Sequence, residues 1–428
     1  MTAVDRDGPQ ARFIFLLVVV ALLVRVAVIP FLIGEIVDPE RDYWTFGCEE
    51  GRIARSIASG EGFSSPLFGK TGPTSWSAPV YPYLLAAVFR VFGVYSRASA
   101  WAILSLNALF SALTCIPIVY LMYRIFGNRA AQISGWAWVF FPYAIYYSAS
   151  HVWGHCLDAL LLMTVLWATY EMEEQRRLAM WALYGMLWGI AALENPVILA
   201  TLPALLMWLG WRRHKLAAPS YAAMAVTVAA LCLTVSPWFV RNYRTFGRFI
   251  PFRGIFWKEF WAGNTGDISD LYPDWTNPGL NGTELSEYSR RGELAYFAEK
   301  RRLGLDFVKH QPSLFLRLTA RRIAFTWTGF WTLRRDYLAG EPFAFPNMAV
   351  YSLLTLFMIG GIRQSFQSGQ KLVIPILLVL AFHPLVYYIT HPGTEYRHPL
   401  DPLVVMLGAR CVAGLLTPRT SPSGVLTG

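Results

Sequence analysis

The chain has 428 residues, of which 55% are hydrophobic and 15% charged, and its 37 basic and 27 acidic side chains give a formal charge of +10. Soluble domains carry about 25% charged residues, so these few charges could not cover the surface of a water-soluble protein of this length. The composition therefore excludes a soluble enzyme, a disordered chain and a repeat array, and it predicts an all-α integral membrane protein.

Hydrophobic stretches recur along the chain, and each is close to the roughly 20 residues that a helix needs to cross a bilayer. The first, residues 13–34, is interpreted as a retained anchor because no small-residue cleavage site accompanies it. Residues 178–211 are too long for one helix and have basic residues at both ends, so we expect them to turn back at residues 194–196. The other predicted spans are residues 101–123, 130–149, 152–170, 217–240, 342–362, 372–390 and 400–416.

These ten predicted helices place both termini in the cytoplasm and two long segments on the external side. Basic clusters near positions 124, 176, 212 and 363 then lie in the cytoplasm, as the positive-inside rule requires. Amphipathic helices are predicted at residues 285–308 and 313–331, the second lying in the membrane interface or packing on the membrane domain. The predicted regions are the N-terminus with the first span (1–34), a first external loop (35–96), spans two to seven (97–240), a large external loop (241–345), the last three spans (346–416) and a cytoplasmic tail (417–428).

The first external loop carries acidic residues beside the membrane, where unpaired charges are costly. Asp42, Glu49 and Glu50 are followed by Arg52 and Arg55. On a helix that begins near Glu49, Arg52 lies one turn further on, so local ion pairs are one interpretation. The other interpretation is that one of these carboxylates is a general base at a substrate site.

Several basic residues follow the predicted seventh span on the external side, where the positive-inside rule disfavours them. Arginine binds phosphate in two-point geometry, so this cluster is predicted to hold an anionic head group. The alternative is a basic surface on a long external domain that escapes the charge rule. The cluster consists of Arg241, Arg244, Arg248, Arg253 and Lys258.

Further polar residues lie within or beside the predicted spans. His151, His155 and Asp158 are predicted to share one helix face, which suits a divalent metal ion or a proton relay, although interfacial histidines are often structural. Arg25 and Glu194 are expected to face a cavity or a protein partner, because a lipid-facing charge costs roughly 2.5–3.5 kcal/mol.

Taken together, the motifs of the external segments resemble those of the polytopic GT-C fold glycosyltransferases. This group includes the dolichyl-phosphate-mannose protein mannosyltransferases and the bacterial aminoarabinose transferases. The resemblance spans most of the chain and depends on the order of the motifs. They are FGCE and GRIARS within residues 46–56, GEGF at 60–63, GPTSW and APVYP within 72–82, SPWFVRNY at 236–243 and YRHPLDP at 396–402.

The resemblance implies a hexosyl- or pentosyltransferase that uses a polyprenyl-phosphate-linked sugar donor and a glycan, lipid or protein acceptor, with no nucleic acid partner. It implies a catalytic base in the first external loop, either Glu49 or its alternatives Glu50 and Asp42. It implies no defined cofactor; the alternative is a divalent metal ion held by His155 and Asp158. The implied substrate-binding residues are Arg52, Arg241, Arg244, Arg253, Lys258, Glu259, Arg397, His398, Trp76 and Tyr81.

The chain departs from the family pattern at two places. Many relatives open the first loop helix with an Asp-Glu pair, which is absent here. An acidic residue often found at the start of the fourth span is replaced by Gly154 and His155, with Asp158 one turn later.

The site is expected on the external, periplasmic face of a bacterial inner membrane. One competing interpretation is a transporter or lipid flippase, but the sequence shows no inverted internal repeat of the kind expected for that class. Another is a non-catalytic assembly protein for an envelope polysaccharide.

Overall fold

The computed structural model of the protein describes residues 9–216, 221–266, 273–333, 335, 338 and 343–416. Within these residues the regular structure is helical, and β pairing is limited to one isolated bridge between Ser64 and Pro73. The all-α fold expected from the composition is confirmed.

The helices are numbered here in chain order. Up to residue 216 they are α1 (Ala11–Leu32), α2 (Cys48–Ala58), α3 (Val80–Phe92), α4 (Arg97–Leu113), α5 (Cys115–Phe126), α6 (Asn128–Val139), α7 (Pro142–Ser150), α8 (His155–Glu171), α9 (Leu178–Glu194) and α10 (Leu202–Lys215). From residue 221 they are α11 (Tyr221–Phe246), α12 (Phe256–Gly263), α13 (Gly282–Arg291), α14 (Glu293–His310), α15 (Pro312–Thr328), α16 (Ala344–Gln367), α17 (Ile374–Phe382), α18 (Leu385–Ile389), α19 (Thr394–Arg397) and α20 (Asp401–Leu415).

Five helical segments among the described residues are long and apolar enough to cross a membrane. They are Ala11–Glu35, Arg97–Phe126, Tyr221–Phe246, Ala344–Gln367 and Lys371–Ile389. Shorter apolar helices, among them α3 and α9, accompany them. The expected multi-pass membrane protein is confirmed, whereas the number of ten spans and the assignment of regions to the two sides stay predictions.

Some predicted helices are interrupted. Residues 285–308 form parts of two helices, α13 and α14, because Gly292 between them has a left-handed φ of 76°. The predicted span at 152–170 begins only at His155, so His151, in an extended conformation, does not share a helix with His155 and Asp158. The predicted break at residues 194–196 is present, since α9 ends at Glu194 and a short 3-10 helix follows.

The predicted span at 130–149 is divided into α6 and α7 by Pro142, and a buried arginine compensates for the break. Proline has no N–H, so the carbonyl of Trp138 loses its helical donor. Arg25 Nη2 donates to Trp138 O at 3.0 Å, its Nη1 donates to Val139 O at 3.1 Å, and its Nε donates to Ser111 Oγ at 2.8 Å. Arg25 therefore has protein partners inside the membrane domain, as expected for a charge at this depth.

The first external loop is fixed to the membrane domain by an apolar cluster. Phe46, Ile53 and Ala54 are fully buried, and they belong to the same cluster as Leu85 of α3 and Ile103 of α4. The α3 helix lies in the segment that was predicted to be an external loop. Because α2 packs in this cluster, the acidic residues at its first turn have a rigid support.

Candidate active site

One cavity of about 900 Å³ collects the polar residues of several segments that are distant in sequence. Its wall is built from the first external loop, the start of α8, the break between α9 and α10, the segment 251–259 and residues 386–396. Of the site residues predicted from the sequence, those that line it are Glu49, Glu50, Trp76, His155, Asp158, Arg253 and Glu259. The cavity therefore brings the predicted carboxylates together with an arginine of the basic cluster.

Local backbone geometry sets the position of Glu49 and Glu50 in the first turn of α2. Gly47, the residue before this helix, has a φ of 84°, and a side chain there would press on the backbone of Gly51 and on Val152 O. Cys48 also has a positive φ, of 48°, which is uncommon for a residue other than glycine. The N-terminal end of a helix favours negative charge, so this turn is a suitable support for two carboxylates.

Glu49 has the properties of a proton acceptor near neutral pH. Burial raises the pKa of Glu49 to about 7, and the positive charge of Lys258 opposes this rise. A group with such a pKa is partly ionised at neutral pH and can both take up and release a proton, which is the requirement for general base catalysis.

Glu50 lies in a different environment from Glu49. Ser77 Oγ donates a hydrogen bond to Glu50 Oε1 at 2.6 Å. Burial raises the pKa of Glu50, while this hydrogen bond and the nearby His155 and Arg253 lower it and Asp158 raises it. One of its oxygens is thus already engaged by the protein, which favours a role in positioning.

A charged chain of three residues lies at the cavity: Glu259 and His391 line its wall, and Lys258 and Glu259 interact electrostatically with Glu49. Lys258 Nζ is 3.2 Å from Glu259 Oε1, and Glu259 Oε2 is 2.7 Å from His391 Nε2. Burial alone would raise the pKa of Glu259, but Lys258 and His391 together lower it to about 2. Glu259 is therefore ionised at all physiological pH values and stabilises the positive charge of the buried Lys258.

Asp42 and Arg52 form an ion pair away from the cavity wall. Arg52 Nη2 donates to Asp42 Oδ2 at 3.0 Å and to Asp42 O at 2.9 Å, and the Arg52 guanidinium lies 3.8 Å from the ring centroid of Phe68. Asp42 is exposed and Arg52 is buried. The local ion pair thus joins Arg52 to Asp42 rather than to Glu49, and neither residue lines the cavity.

The basic cluster predicted from the sequence is spread over different environments. Arg241 Nη1 donates to Thr74 O at 2.7 Å and its Nη2 donates to Phe63 O at 2.8 Å, so its guanidinium connects α11 to the first external loop. Arg244 is exposed, whereas Arg253 lines the cavity. Among the predicted phosphate ligands, Arg253 is the one whose position is suited to a ligand in this cavity.

Three other predicted binding residues are buried without lining the cavity. Arg397 Nε donates to Asp401 Oδ1 at 3.1 Å, and His398 Nδ1 lies 3.2 Å from Asp401 Oδ2. The Tyr81 hydroxyl group is hydrogen-bonded to the amide of Asn107. The first two contacts join Arg397 and His398 to Asp401, the first residue of α20, and the third connects α3 to α4.

His155 and Asp158, the predicted metal ligands, lie next to each other at the cavity wall. His155 Nδ1 is 3.8 Å from Asp158 Oδ2, which accepts a hydrogen bond from Asn195 Nδ2 at 2.9 Å. Across the described residues no three His, Cys, Asp or Glu side chains are arranged to hold a metal ion. The pair therefore offers an incomplete ligand set, and a metal requirement stays a prediction.

Several residues of the cavity wall were not predicted from the sequence. Ser77 contacts Glu50, and His391 contacts Glu259. Thr394 and Glu395 complete the wall near His391, together with Tyr396, which is the first residue of the YRHPLDP motif. A sequence signal was present, because the polar HPGTEY segment at residues 391–396 directly follows an apolar stretch.

Comparison with known proteins gives one match in sequence and several in structure. Residues 76–239 match the family model described as dolichyl-phosphate-mannose-protein mannosyltransferase. No curated protein matches the chain. The oligosaccharyltransferase AglB from Archaeoglobus fulgidus, solved in complex with an inhibitory peptide and a dolichol-phosphate, is similar at a TM-score of 0.55 and 16% identity, over 94% of this chain and 50% of that chain.

Two further solved structures are also similar. The A. fulgidus oligosaccharyltransferase in complex with Zn and sulfate matches at a TM-score of 0.53 and 17% identity, over 93% of this chain and 49% of that chain. ArnT from Cupriavidus metallidurans bound to undecaprenyl phosphate gives a TM-score of 0.41 and 16% identity, over 95% of this chain and 78% of that chain. This chain spans about half the length of the oligosaccharyltransferase that it matches. The resemblance predicted from the sequence motifs is confirmed at this level: the protein is a multi-pass helical membrane protein that shares its fold with the solved oligosaccharyltransferase, and residues 76–239 match the mannosyltransferase family model.

Proposed function

We propose that the protein is a membrane glycosyltransferase that moves a sugar from a polyprenyl-phosphate-linked donor to an acceptor bound in the cavity. The observation that carries this proposal is the meeting of Glu49 and Arg253 in one cavity, with the buried Lys258 beside Glu49. The match of residues 76–239 to a family named for a dolichyl-phosphate-linked mannose donor supports it. The dolichol-phosphate in the solved AglB complex supports a lipid phosphate as the donor group.

Arg253 is the group that we assign to the donor phosphate. Negative charge develops on the phosphate oxygen as the bond to the sugar breaks, and a guanidinium can bind two such oxygens at once. Lys258 is buried and does not line the cavity, and its charge is balanced by Glu259. Positive groups already in place stabilise the departing phosphate without reorganisation during the reaction.

Glu49 is the group that we assign to the acceptor. It takes the proton from the acceptor hydroxyl or amine while the acceptor oxygen or nitrogen forms a bond to the anomeric carbon. The bond between that carbon and the phosphate oxygen breaks in the same step, and the polyprenyl phosphate leaves with the bonding electrons. Trp76 and Tyr396 supply aromatic surface at the cavity wall that can pack against a sugar ring.

We place this site on the external face of the membrane, which is the periplasmic face in a bacterial inner membrane. The residues that form the cavity wall support this location, because each of them belongs to a predicted external loop or to the external end of a predicted span. The lining residues lie within 44–50, 76–77, 153–158, 194–200, 251–259, 277–280 and 386–396, together with Phe330, Ala344 and Asn347.

The proposal is tested with the purified protein in proteoliposomes that contain a polyprenyl phosphate carrying a radiolabelled sugar. A panel of donor sugars and of glycan, lipid and protein acceptors covers the classes that the site could use. We expect radiolabel to move from the donor lipid to one acceptor class and free polyprenyl phosphate to accumulate. Movement of the intact donor between leaflets without transfer would instead support a flippase and contradict the proposal.

A further inference from the structure

Glu293, the first residue of α14, is a buried carboxylate in the large external loop, with 7% of its surface exposed. Its Oε1 accepts hydrogen bonds from Ser75 N and Ser75 Oγ, both at 2.6 Å. Its Oε2 accepts hydrogen bonds from Tyr288 OH at 2.8 Å and from Thr74 Oγ1. Burial and the neighbouring Glu293 raise the pKa of Tyr288, so this hydroxyl group stays protonated and available as a donor. Four donors on two oxygens satisfy a buried carboxylate and stabilise it in place.

These hydrogen bonds fix a segment of the first external loop that leads directly into the cavity. Thr74 Oγ1 also accepts a hydrogen bond from Trp76 N at 3.0 Å. The next residue, Ser77, donates to Glu50 at 2.6 Å. Glu293 is therefore connected to a cavity carboxylate by a short stretch of backbone whose polar groups are hydrogen-bonded at several successive residues.

A second connection runs from the same segment to the arginine assigned to the donor phosphate. Ser75 O accepts a hydrogen bond from Gly254 N at 2.7 Å, and Arg253 is the preceding residue. A Cβ atom at Gly254 would lie 2.6 Å from Ser75 Oγ, so a side chain at this position would press on the hydroxyl group that donates to Glu293. The position of Ser75 thus influences the position of Arg253.

Arg241 holds the same segment from another side. Its Nη1 donates to Thr74 O at 2.7 Å, whereas Glu293 binds the Thr74 side chain. The segment is therefore held between a cation at the end of α11 and an anion at the start of α14. Both contacts join parts of the chain that are more than 160 residues apart.

We propose that Glu293 is a positioning residue of the active site, which holds the 74–77 segment so that Ser77 engages Glu50 and Arg253 faces the cavity. Glu293 itself does not line the cavity, so it acts through these residues rather than on the substrate. The proposal rests on the proposed glycosyltransferase function for its kinetic consequences.

The test compares Glu293→Gln with the matched control Glu284→Gln. Glu284 Oε2 accepts from Tyr296 OH at 2.6 Å and lies 2.6 Å from Lys300 Nζ, so it stabilises the same external helices without contacting the 74–77 segment. In proteoliposomes with a polyprenyl-phosphate sugar, we expect Glu293→Gln to lower kcat at least tenfold and Glu284→Gln to stay within twofold of wild type. Equal losses in the two variants, in proportion to their loss of thermal stability, would overturn the proposal, as would wild-type kcat in Glu293→Gln.

A double variant separates positioning from general stability. Because Ser77→Ala already removes the contact to Glu50, we expect Glu293→Gln to lower kcat by a much smaller factor in the Ser77→Ala background. If the two substitutions lowered kcat by independent factors that multiply in the double variant, Glu293 would not act through Ser77.

Should Glu293→Gln fail to accumulate in the membrane, Tyr288→Phe removes one of the four donors, and we expect a two- to tenfold lower kcat. Wild-type kcat in Tyr288→Phe would then count against the proposal.

Hydrogen exchange provides a measurement that does not depend on activity. The amides of residues 74–77 should exchange faster in Glu293→Gln than in the wild type. Their exchange rates in Glu284→Gln should equal those of the wild type. Unchanged exchange in Glu293→Gln would overturn the positioning role. If the wild-type protein transfers no sugar from any donor, the proposed function fails, and the exchange measurement still decides whether Glu293 holds the segment.

Discussion

Lys258 Nζ lies 3.2 Å from Glu259 Oε1, and the Lys258 side chain is 1% exposed. A buried lysine needs a partner to keep its charge, and Glu259, itself contacted by His391, provides one. The positive charge of Lys258 in turn opposes the rise in the pKa of Glu49 that burial causes. The pair therefore sets the pH range in which Glu49 can accept a proton.

Replacing Lys258 should shift the pH dependence of transfer to higher pH. Glu49 acts as a base only when it is ionised, so activity should rise with pH through its pKa of about 7. Lys258→Met removes a charge that lowers this pKa, so the acidic limb should move upward by about one pH unit or more. The pH profile of kcat/KM measures this shift, and an unchanged or lowered acidic limb in Lys258→Met would contradict this account.

Arg253 should matter for use of the donor lipid more than the other arginines of the basic cluster. Arg253→Ala should raise the KM for the donor by a factor that corresponds to about 1.5–3 kcal/mol, the value of a charge-assisted hydrogen bond. Arg253→Lys should restore little if the guanidinium binds two phosphate oxygens. The exposed Arg244→Ala is the matched control and should behave as wild type. Donor titrations in which Arg253→Ala and Arg244→Ala coincide would place the phosphate elsewhere.

The predicted topology is tested by single cysteines in a background without the five native cysteines. Cysteines at Gly62, Asp274 and Thr394 should react with an impermeant thiol reagent in intact cells, whereas those at Gln175 and Gln367 should be protected. Labelling at position 367, or protection at position 274, would rule out the ten-helix arrangement.

The metal prediction is tested by chelation followed by addition of a divalent ion. If His155 and Asp158 hold an ion, chelator should abolish transfer, and His155→Ala should raise the metal concentration needed for its recovery. Direct metal analysis of the purified protein provides a second readout. Full transfer in chelator would leave these residues a structural or proton-transfer role.

Five of the predicted spans coincide with described helical segments that are long and apolar enough to cross a membrane, and they could be predicted because each is a local property of about 20 successive residues. The break after Glu194 could also be predicted, since asparagine and proline follow it directly. The division of α6 and α7 at Pro142 was missed, because its stability depends on Arg25, more than 110 residues away in sequence. Sequence patterns indicate which residues are charged but not which distant carbonyl groups they contact.

For the candidate site, too, the sequence indicates which residues are charged but not which groups they contact. The density of basic residues in the last turns of α11 and after it indicated an anion site. Arg241 contacts backbone carbonyls whereas Arg253 lines the cavity, a difference that depends on tertiary packing. Glu293 was not singled out from the sequence, since its contact with Ser75 joins residues 218 positions apart. The acids of the first external loop were found because charge next to a membrane is conspicuous in sequence alone.

The central claim, that Glu49 is the general base, predicts different effects for the three acids of the first external loop. Glu49→Gln retains the size of the side chain and removes the basic carboxylate. Glu50→Gln alters a side chain that is bound to Ser77, so we expect a smaller loss of turnover. Asp42→Asn changes an exposed residue that pairs with Arg52 outside the cavity, so we expect near wild-type chemistry.

Single-turnover transfer of a radiolabelled sugar by Glu49→Gln, beside the wild type, tests this claim most directly. We predict that the rate of the chemical step falls by about 100-fold or more, the usual effect of removing a general base, while the affinity for the donor lipid changes little. Transfer at the wild-type rate by Glu49→Gln, together with a dead Glu50→Gln or Asp42→Asn, would assign the base to a different residue of the loop. Wild-type rates in all three variants would contradict the account as a whole.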